Sequence, residues 1–310
     1  MSSLPPPASS IRPTCRVCFG REATEIAGHG VDAQLQLALP VLAGARDEVL
    51  LTGAQALGTT DGCALFREHG RLAGFAVAAP DADLEQAAAR LYQQLFAATR
   101  GRHLYRVWNY VPRINAVEQA MENYQRFCRG RSFAFEQQFG PGFKKLLSAA
   151  SAVGSAAGPL AVGFLAGDAA PHHFENPRQV PAFDYPPQYG PRPPSFARAT
   201  AVSGDGTRQI FISGTSSIHG HSTVAPGHLP GQLACTLENL RLIAATAGAG
   251  TAGWQRSFKV YLRHAADQAP TASLLECDLL QPGDTVQYLQ ADICRAELLV
   301  EIEAVLTGPA

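Results

Sequence analysis

The chain has 310 residues, 46% hydrophobic and 16% charged, with 25 basic against 26 acidic side chains. That length accommodates about two ordinary domains with sizeable cores, and the composition is that of a globular protein. A formal net charge of −1, without a basic run, excludes the usual electrostatic footprint of a nucleic-acid binder, so no nucleic-acid partner is expected.

Residues 1–12 open Met1-Ser2-Ser3-Leu4-Pro5-Pro6-Pro7, which has neither the charged start nor the apolar core of a secretory signal. They read as a disordered tail, and a cytoplasmic location is the default. Cys15 and Cys18 form a CxxC with no second pair nearby; a structural zinc needs four ligands, so no metal site is read here. Seven cysteines, an odd number scattered along the chain, suggest reduced thiols. Asp83 stands where it can cap a helix with the apolar stripe Leu84, Ala88, Leu91 and Leu95, ending near Gly101. A strand follows over 105–111, then a second helix over 116–128. The apolar stretch 146–167 is interrupted by four glycines, Pro159 and several serines. That argues against a spanning helix, and no membrane partner is expected.

Residues 176–194 hold seven prolines in 19 positions, together with Phe183, Tyr185 and Tyr189. Such a segment enters neither a helix interior nor a central strand. It is either a linker or a stiff aromatic wall for a pocket. Strands at 196–202 and 209–213 come next, then a polar loop. His219 and His221 in that loop have no acidic or cysteine partner at metal spacing and read as loop histidines. After Gly231 a helix carries Leu233, Leu237, Leu240 and Ala244 and ends at Gly248, and a strand follows at 258–263. A short helix over 271–280 precedes a hairpin, in which 285–293 turns through Cys294–Glu297 into the last strand. Both long helices share the apolar spacing i, i+4, i+7, i+11, and each feeds a strand within about ten residues, so one unit is read as occurring twice.

The last strand alternates. Leu298, Val300, Ile302, Ala304 and Leu306 share one face, and Glu301 and Glu303 share the other. The two glutamates either point to water, which alternation alone favours, or line a second, polar interior. In the second case a shielded carboxyl with a raised pKa is a ready general acid.

Ile212-Ser213-Gly214-Thr215, Gln232, Thr236-Leu237-Glu238-Asn239-Leu240, Lys259-Val260 and Val300-Glu301-Ile302-Glu303-Ala304 resemble the RidA/YjgF family. A longer set is similar to the chorismatases. It comprises Tyr105-Arg106-Val107-Trp108-Asn109-Tyr110-Val111-Pro112, Ala149 to Gly154, Tyr189-Gly190-Pro191 through Ala199, Ser213 to Ile218 and Asp292-Ile293-Cys294-Arg295. Chorismatases are cofactor-independent enzymes built on RidA-like domains. The resemblance implies an α+β fold of two RidA/YjgF-like (chorismate mutase-like) units, mixed sheets with helices packed on one face. It divides the chain into an N-terminal RidA-like domain (13–170), a proline-rich aromatic connector (171–195) and a C-terminal catalytic domain (196–310). It also implies no cofactor, no metal, chorismate as the small-molecule substrate, and a monomer or low-order homo-oligomer.

Carried over residue by residue, the resemblance makes Glu301 the catalytic acid that protonates the enolpyruvyl ether of chorismate, with Glu303 a solvated neighbour. Arg198 and Arg131 are the candidates for the two substrate carboxylates, since arginine forks suit carboxylates. Tyr185 and Tyr124 are candidate hydroxyl donors, with Tyr189 as the alternative to Tyr185. Gly214 and Cys294 shape the ring pocket, the glycine leaving room for close substrate approach. A bulkier residue at that glycine would go with hydrolysis to a dihydroxycyclohexadiene carboxylate. The products expected here are pyruvate and 3-hydroxybenzoate, with 4-hydroxybenzoate as a second product. A RidA-like imine hydrolase would need an arginine near Val286, where this chain has no charge. A non-catalytic ligand-binding member of the fold is the third reading.

Overall fold

The computed structural model describes residues 14–156, 158–204, 206–250 and 253–310, so the tail expected at 1–12 lies outside the described residues. Two sheets dominate. The first is built from β1 (Gln55–Thr60), β2 (Cys63–Glu68), β3 (Arg71–Val77), β4 (His103–Pro112), β5 (Ala149–Ser155) and β6 (Ala161–Gly167), in the spatial order 1-2-3-6-4-5. The second is built from β7 (His172–Phe174), β8 (Ala199–Gly204), β9 (Thr207–Ser216), β10 (Gln255–Leu262), β11 (Thr285–Gln290) and β12 (Val300–Pro309), in the order 7-8-9-12-10-11. The second order is the first with six added to every strand. In each sheet one pair alone is parallel, β4 with β5 and β10 with β11. A parallel pair needs a crossover: α2 (Asn123–Phe139) supplies the first and α4 (Gln268–Asp278) the second. Helices α1 (Leu84–Ala98) and α3 (Leu229–Thr246) occupy matching positions before β4 and β10. The unit inferred from the two helix stripes is therefore present twice.

Local chemistry sets the helix ends. The Asp83 carboxylate accepts the Gln86 N–H at 3.1 Å, the cap the sequence suggested. His228 caps α3 through Nδ1, which accepts from Gly231 N–H at 3.1 Å, so that helix starts before Gly231. Helix α2 differs from expectation at both ends. Residues 117–122 form a two-stranded ribbon whose turn residues Gln119 and Ala120 have positive φ, so the helix begins only at Asn123. It then runs through Gly130, because a Cβ there would stand 2.1 Å from the Glu85 carbonyl of α1. The glycine permits close helix packing and does not stop the helix. The expected hairpin is also corrected: β11 and β12 are not paired, since β10 lies between them and bonds to both.

Helices cover the outer face of each sheet. Val107, Val162 and Phe164 meet α1 and α2, while Val260, Val300, Ile302, Ala304 and Leu306 meet α3 and α4. Each such large aliphatic side chain contributes about 1.5–3 kcal/mol by burial. The inner faces enclose a third core with Trp108, Tyr110, Val153, Leu165, Phe211 and Tyr261. Residues 15–51, for which no strand was anticipated, close this layer with four strands, Glu25–Ala27, Gln34–Gln36, Cys15–Cys18 and Asp47–Leu51. Cys15 and Cys18 are buried there. Val41–Ala43 adds a further strand beside β11. Among the described residues no helix is long and apolar enough to cross a membrane.

Candidate active site

The first sheet ends at β5, and this edge docks on the second sheet. Ala149 N–H donates to Thr200 Oγ1 at 2.7 Å and Ala150 N–H to Ser213 Oγ at 2.9 Å. Beside the junction lies a cavity of about 300 Å3. All seven residues singled out from the sequence line it: Glu301, Arg198, Arg131, Tyr185, Tyr124, Gly214 and Cys294. Tyr124 and Arg131 come from one face of α2, seven residues apart. The proline-rich segment walls the opposite side with Tyr185, Gln188 and Tyr189, brought round by short 3-10 turns at Ala182–Asp184 and Pro187–Tyr189. It thus does more than join the units.

Glu301 and Glu303 sit on the inner face of β12, each 4% exposed. Both point into the space between the sheets, and the expectation that Glu303 is solvated is overturned. Water is excluded there because the inner face of a second sheet, with its Arg106 and Trp108, packs over the strand. Glu303 accepts from Arg106 Nη2 at 2.7 Å, Trp108 Nε1 at 2.8 Å, Lys259 Nζ at 2.9 Å and Ser151 Oγ at 2.5 Å. Burial alone would raise its pKa, but the charges of Lys259 and Arg106 and the Ser151 hydrogen bond outweigh that and hold it well below the usual carboxylate range.

Glu301 has the opposite environment. Burial first, and the Glu303 charge second, push its pKa up to about 8, against the Ser216 hydrogen bond and the charges of Arg106 and Arg198. Ser216 Oγ is 3.3 Å from Glu301 Oε2. A buried carboxyl that keeps its proton at neutral pH, next to one that cannot, is the arrangement that separates an acid from a fixed anion. Gly214 belongs to this geometry. The β9–β12 register slips by one residue between Ile212 and Thr215, and a Cβ on Gly214 in that bulge would stand 2.1 Å from Glu301 Oε1. The room that the sequence assigned to substrate approach is taken by the carboxyl of Glu301 itself.

The arginines sit among aromatic faces. Arg198 stacks 5.1 Å from the Phe196 ring, and its Nη2 donates to Tyr185 Oη at 2.8 Å and to the Val180 carbonyl at 3.3 Å. Arg131 lies 4.9 Å over Tyr92, and its buried Nε has no hydrogen-bond partner among the described residues. Burial pushes the Cys294 thiol and the Tyr124 phenol up, so both stay neutral. A third arginine in the wall was missed. Arg295 stacks 4.0 Å over Tyr189, with Nη2 donating to the His221 carbonyl at 2.9 Å. It follows Cys294 directly, and its guanidinium was the available signal. The cage of Glu303 was missed too, although Arg106, Trp108 and Tyr110 repeat at period two on a strand with little exposure. Val286 packs toward the helix-side core and does not line this cavity.

Comparisons with known proteins agree on one family. A family described as "Chorismatase FkbO/Hyg5-like, N-terminal" matches residues 48–166. A 3-hydroxybenzoate synthase of Streptomyces hygroscopicus is 40% identical over 224 residues, 66% of this chain and 63% of that protein, so less than two thirds of the synthase is covered. A chorismatase of Streptomyces rapamycinicus is 34% identical over 270 residues, 82% of this chain and 80% of that one. A solved chorismatase structure is similar to 97% of this chain, over 95% of its own, with a TM-score of 0.83 at 28% identity.

Proposed function

The chain belongs to the chorismatase family, and we propose on that premise that it cleaves chorismate to pyruvate and 3-hydroxybenzoate, with Glu301 as the proton donor. One observation carries the reading: a carboxyl with its pKa raised to about 8 opens into a cavity that arginines and tyrosines line. Protonation of the enolpyruvyl methylene carbon by Glu301 turns the ether into an oxocarbenium ion. The electron pair of the ring carbon–oxygen bond then becomes the carbonyl of departing pyruvate. The ring is left cationic, and loss of a proton makes it aromatic. One proton is consumed and one returned, with no net water. If the neighbouring hydroxyl oxygen stays in place, the product is 4-hydroxybenzoate; if it migrates to the cationic carbon, the product is 3-hydroxybenzoate. Hydrolysis would instead add a water, which the enclosed aromatic wall disfavours. The similarity to a 3-hydroxybenzoate synthase supports the 3-isomer as the main product.

Arg198 and Arg131 are proposed to hold the two carboxylates of the substrate, Tyr185 and Tyr124 to donate hydroxyl hydrogen bonds, Cys294 to bound the ring, and Gly214 to bound it indirectly, by seating the Glu301 carboxyl against it. The chemistry assigned to these residues calls for no cofactor. The test is incubation with chorismate, reading pyruvate enzymatically and the aromatic product by chromatography. Pyruvate and 3-hydroxybenzoate in equal amounts are expected, and E301Q should lose about 10²–10⁴-fold in turnover. Untouched chorismate would overturn the reading, and a dihydroxycyclohexadiene carboxylate would overturn the product.

A further inference from the structure

The acceptors of Glu303 are used up inside the protein, and both units supply the donors. Arg106 and Trp108 come from β4 and Ser151 from β5, in the first sheet; Lys259 comes from β10 in the second, joined by Tyr261 Oη at 3.3 Å. Lys259 is itself tied to Glu48 at 2.6 Å. Ser151 links this cage to the site. Its Oγ donates to Glu303, accepts the Gly214 N–H at 3.0 Å, and lines the same cavity as Glu301. Gly214 is the bulge residue against which the Glu301 carboxyl rests. A path of direct contacts therefore runs from Glu303 through Ser151 and Gly214 to Glu301.

We propose that Glu303 is a positioning residue for the proton donor: an anion fixed by both units, it adds to burial in keeping the proton on Glu301, and through Ser151 it braces the bulge that seats the Glu301 carboxyl. This deepens the chorismatase reading and rests on it, since it takes Glu301 as the donor. Glu301 is faced by Arg106 from β4, by Tyr124 and Arg131 from α2, by Glu122 just ahead of α2, by Tyr185 and Tyr189 from the proline-rich segment, and by Arg198 from the segment before β8. Cys294, Arg295 and Glu297 face it from the turn before β12, and Ser216 from β9. The arginines all favour the charged carboxylate. Glu297 is exposed and engaged by Thr223, and Glu122 is part-buried and accepts from Asn115, so among the described carboxyls around Glu301 the buried anion opposing the arginines is Glu303.

The sign follows. Removing the Glu303 charge removes repulsion and leaves Arg106 and Lys259 pulling toward the carboxylate form of Glu301. In E303Q the alkaline limb of kcat/KM, set in the parent by a donor protonated up to about pH 8, should move down by about 1–3 pH units. A purely structural role would lower activity without moving that limb. The second readout is independent of turnover: a 13C-NMR titration of the Glu301 carboxyl in protein labelled at glutamate, assigned with E301Q, should show the same downward shift. Should E303Q fail to fold, E303Q/R106M leaves no lone buried cation, because Lys259 keeps Glu48. It should shift in the same direction but less, since a charge favouring the carboxylate is removed as well. A titration unmoved in whichever variant folds overturns the proposal. If the parent leaves chorismate intact while the NMR shift is present, the functional reading fails and the coupling between the two glutamates stands.

Discussion

Strands β6 and β12 hold the same place in the two sheets, and their inner faces carry opposite chemistry. Leu165 of β6 lies across from Arg106, as Glu303 of β12 lies across from Lys259. Two residues earlier, Gly163 faces Trp108 where Glu301 faces Tyr261. Their outer faces agree, because both pack under helices: Val162 and Phe164 in one, Val300, Ile302 and Ala304 in the other. The duplicated frame thus preserves what packing demands and frees the inner face to diverge. The first unit has a buried cation but no carboxylate on its own central strand. A lone buried guanidinium would be costly, and Arg106 instead finds its counter-ion on the other unit's strand. Neither sheet by itself holds both the acid and its cage.

R106M breaks this exchange most directly. It leaves Glu303 buried with Lys259 as its remaining strong partner, and losing one side of a buried pair costs about 3–5 kcal/mol. Urea unfolding at neutral pH should show that loss. A change below about 1 kcal/mol would mean that the two inner faces are energetically separate, and the comparison would collapse to two independent sheets. G214A comes next. The backbone of Gly214 is outside the positive-φ region, so alanine is conformationally allowed and the objection is the contact with Glu301 Oε1. Overpacking of this kind costs about 1–3 kcal/mol, and displacement of the carboxyl should lower kcat and alter the ratio of products. In an E301A background the same substitution should cost little, since the clashing group is gone. A double-mutant cycle measures that difference, and equal costs in both backgrounds would locate the penalty elsewhere.

The two strands also show what could be read ahead of the structure. Period-two alternation fixes that Glu301 and Glu303 share a face and that this face turns away from the helices. It says nothing of what lies opposite, and the partners that decide between water and a polar interior are distant in sequence: Trp108 and Glu303 are 195 residues apart. The helix stripes made the repeat legible because amphipathic packing is local. By contrast, the helix expected over 116–128 lies over Asn123–Phe139, because the ribbon at 117–122 and the seat of Gly130 against α1 are set by contacts outside the segment. The strands at 15–51 left little local signal, since they are only three to five residues long and pack as a plug between sheets formed elsewhere. Gly214 was found through family pattern, yet the atom it makes room for emerges only from the register slip on β9.

The smallest effect is expected in the segment that belongs to neither unit. Tyr185 Oη accepts from Arg198 Nη2 at 2.8 Å, while Arg198 keeps the Val180 carbonyl and its stack on Phe196 if the hydroxyl is lost. Y185F therefore removes one of several restraints on a guanidinium proposed to hold substrate, together with the hydroxyl hydrogen bond proposed to reach the substrate, a neutral contact with a net worth of about 1 kcal/mol. KM for chorismate should rise about fivefold, with kcat close to the parent value and unfolding unchanged. Y189F, which gives up only the contact with His221 Nδ1 at 3.1 Å, serves as the matched control and should do less. A loss of kcat by a hundredfold in Y185F would break the division of labour drawn between the two strands. The proton chemistry would then need a group from the connector, in addition to the acid of one unit and the cage assembled by both.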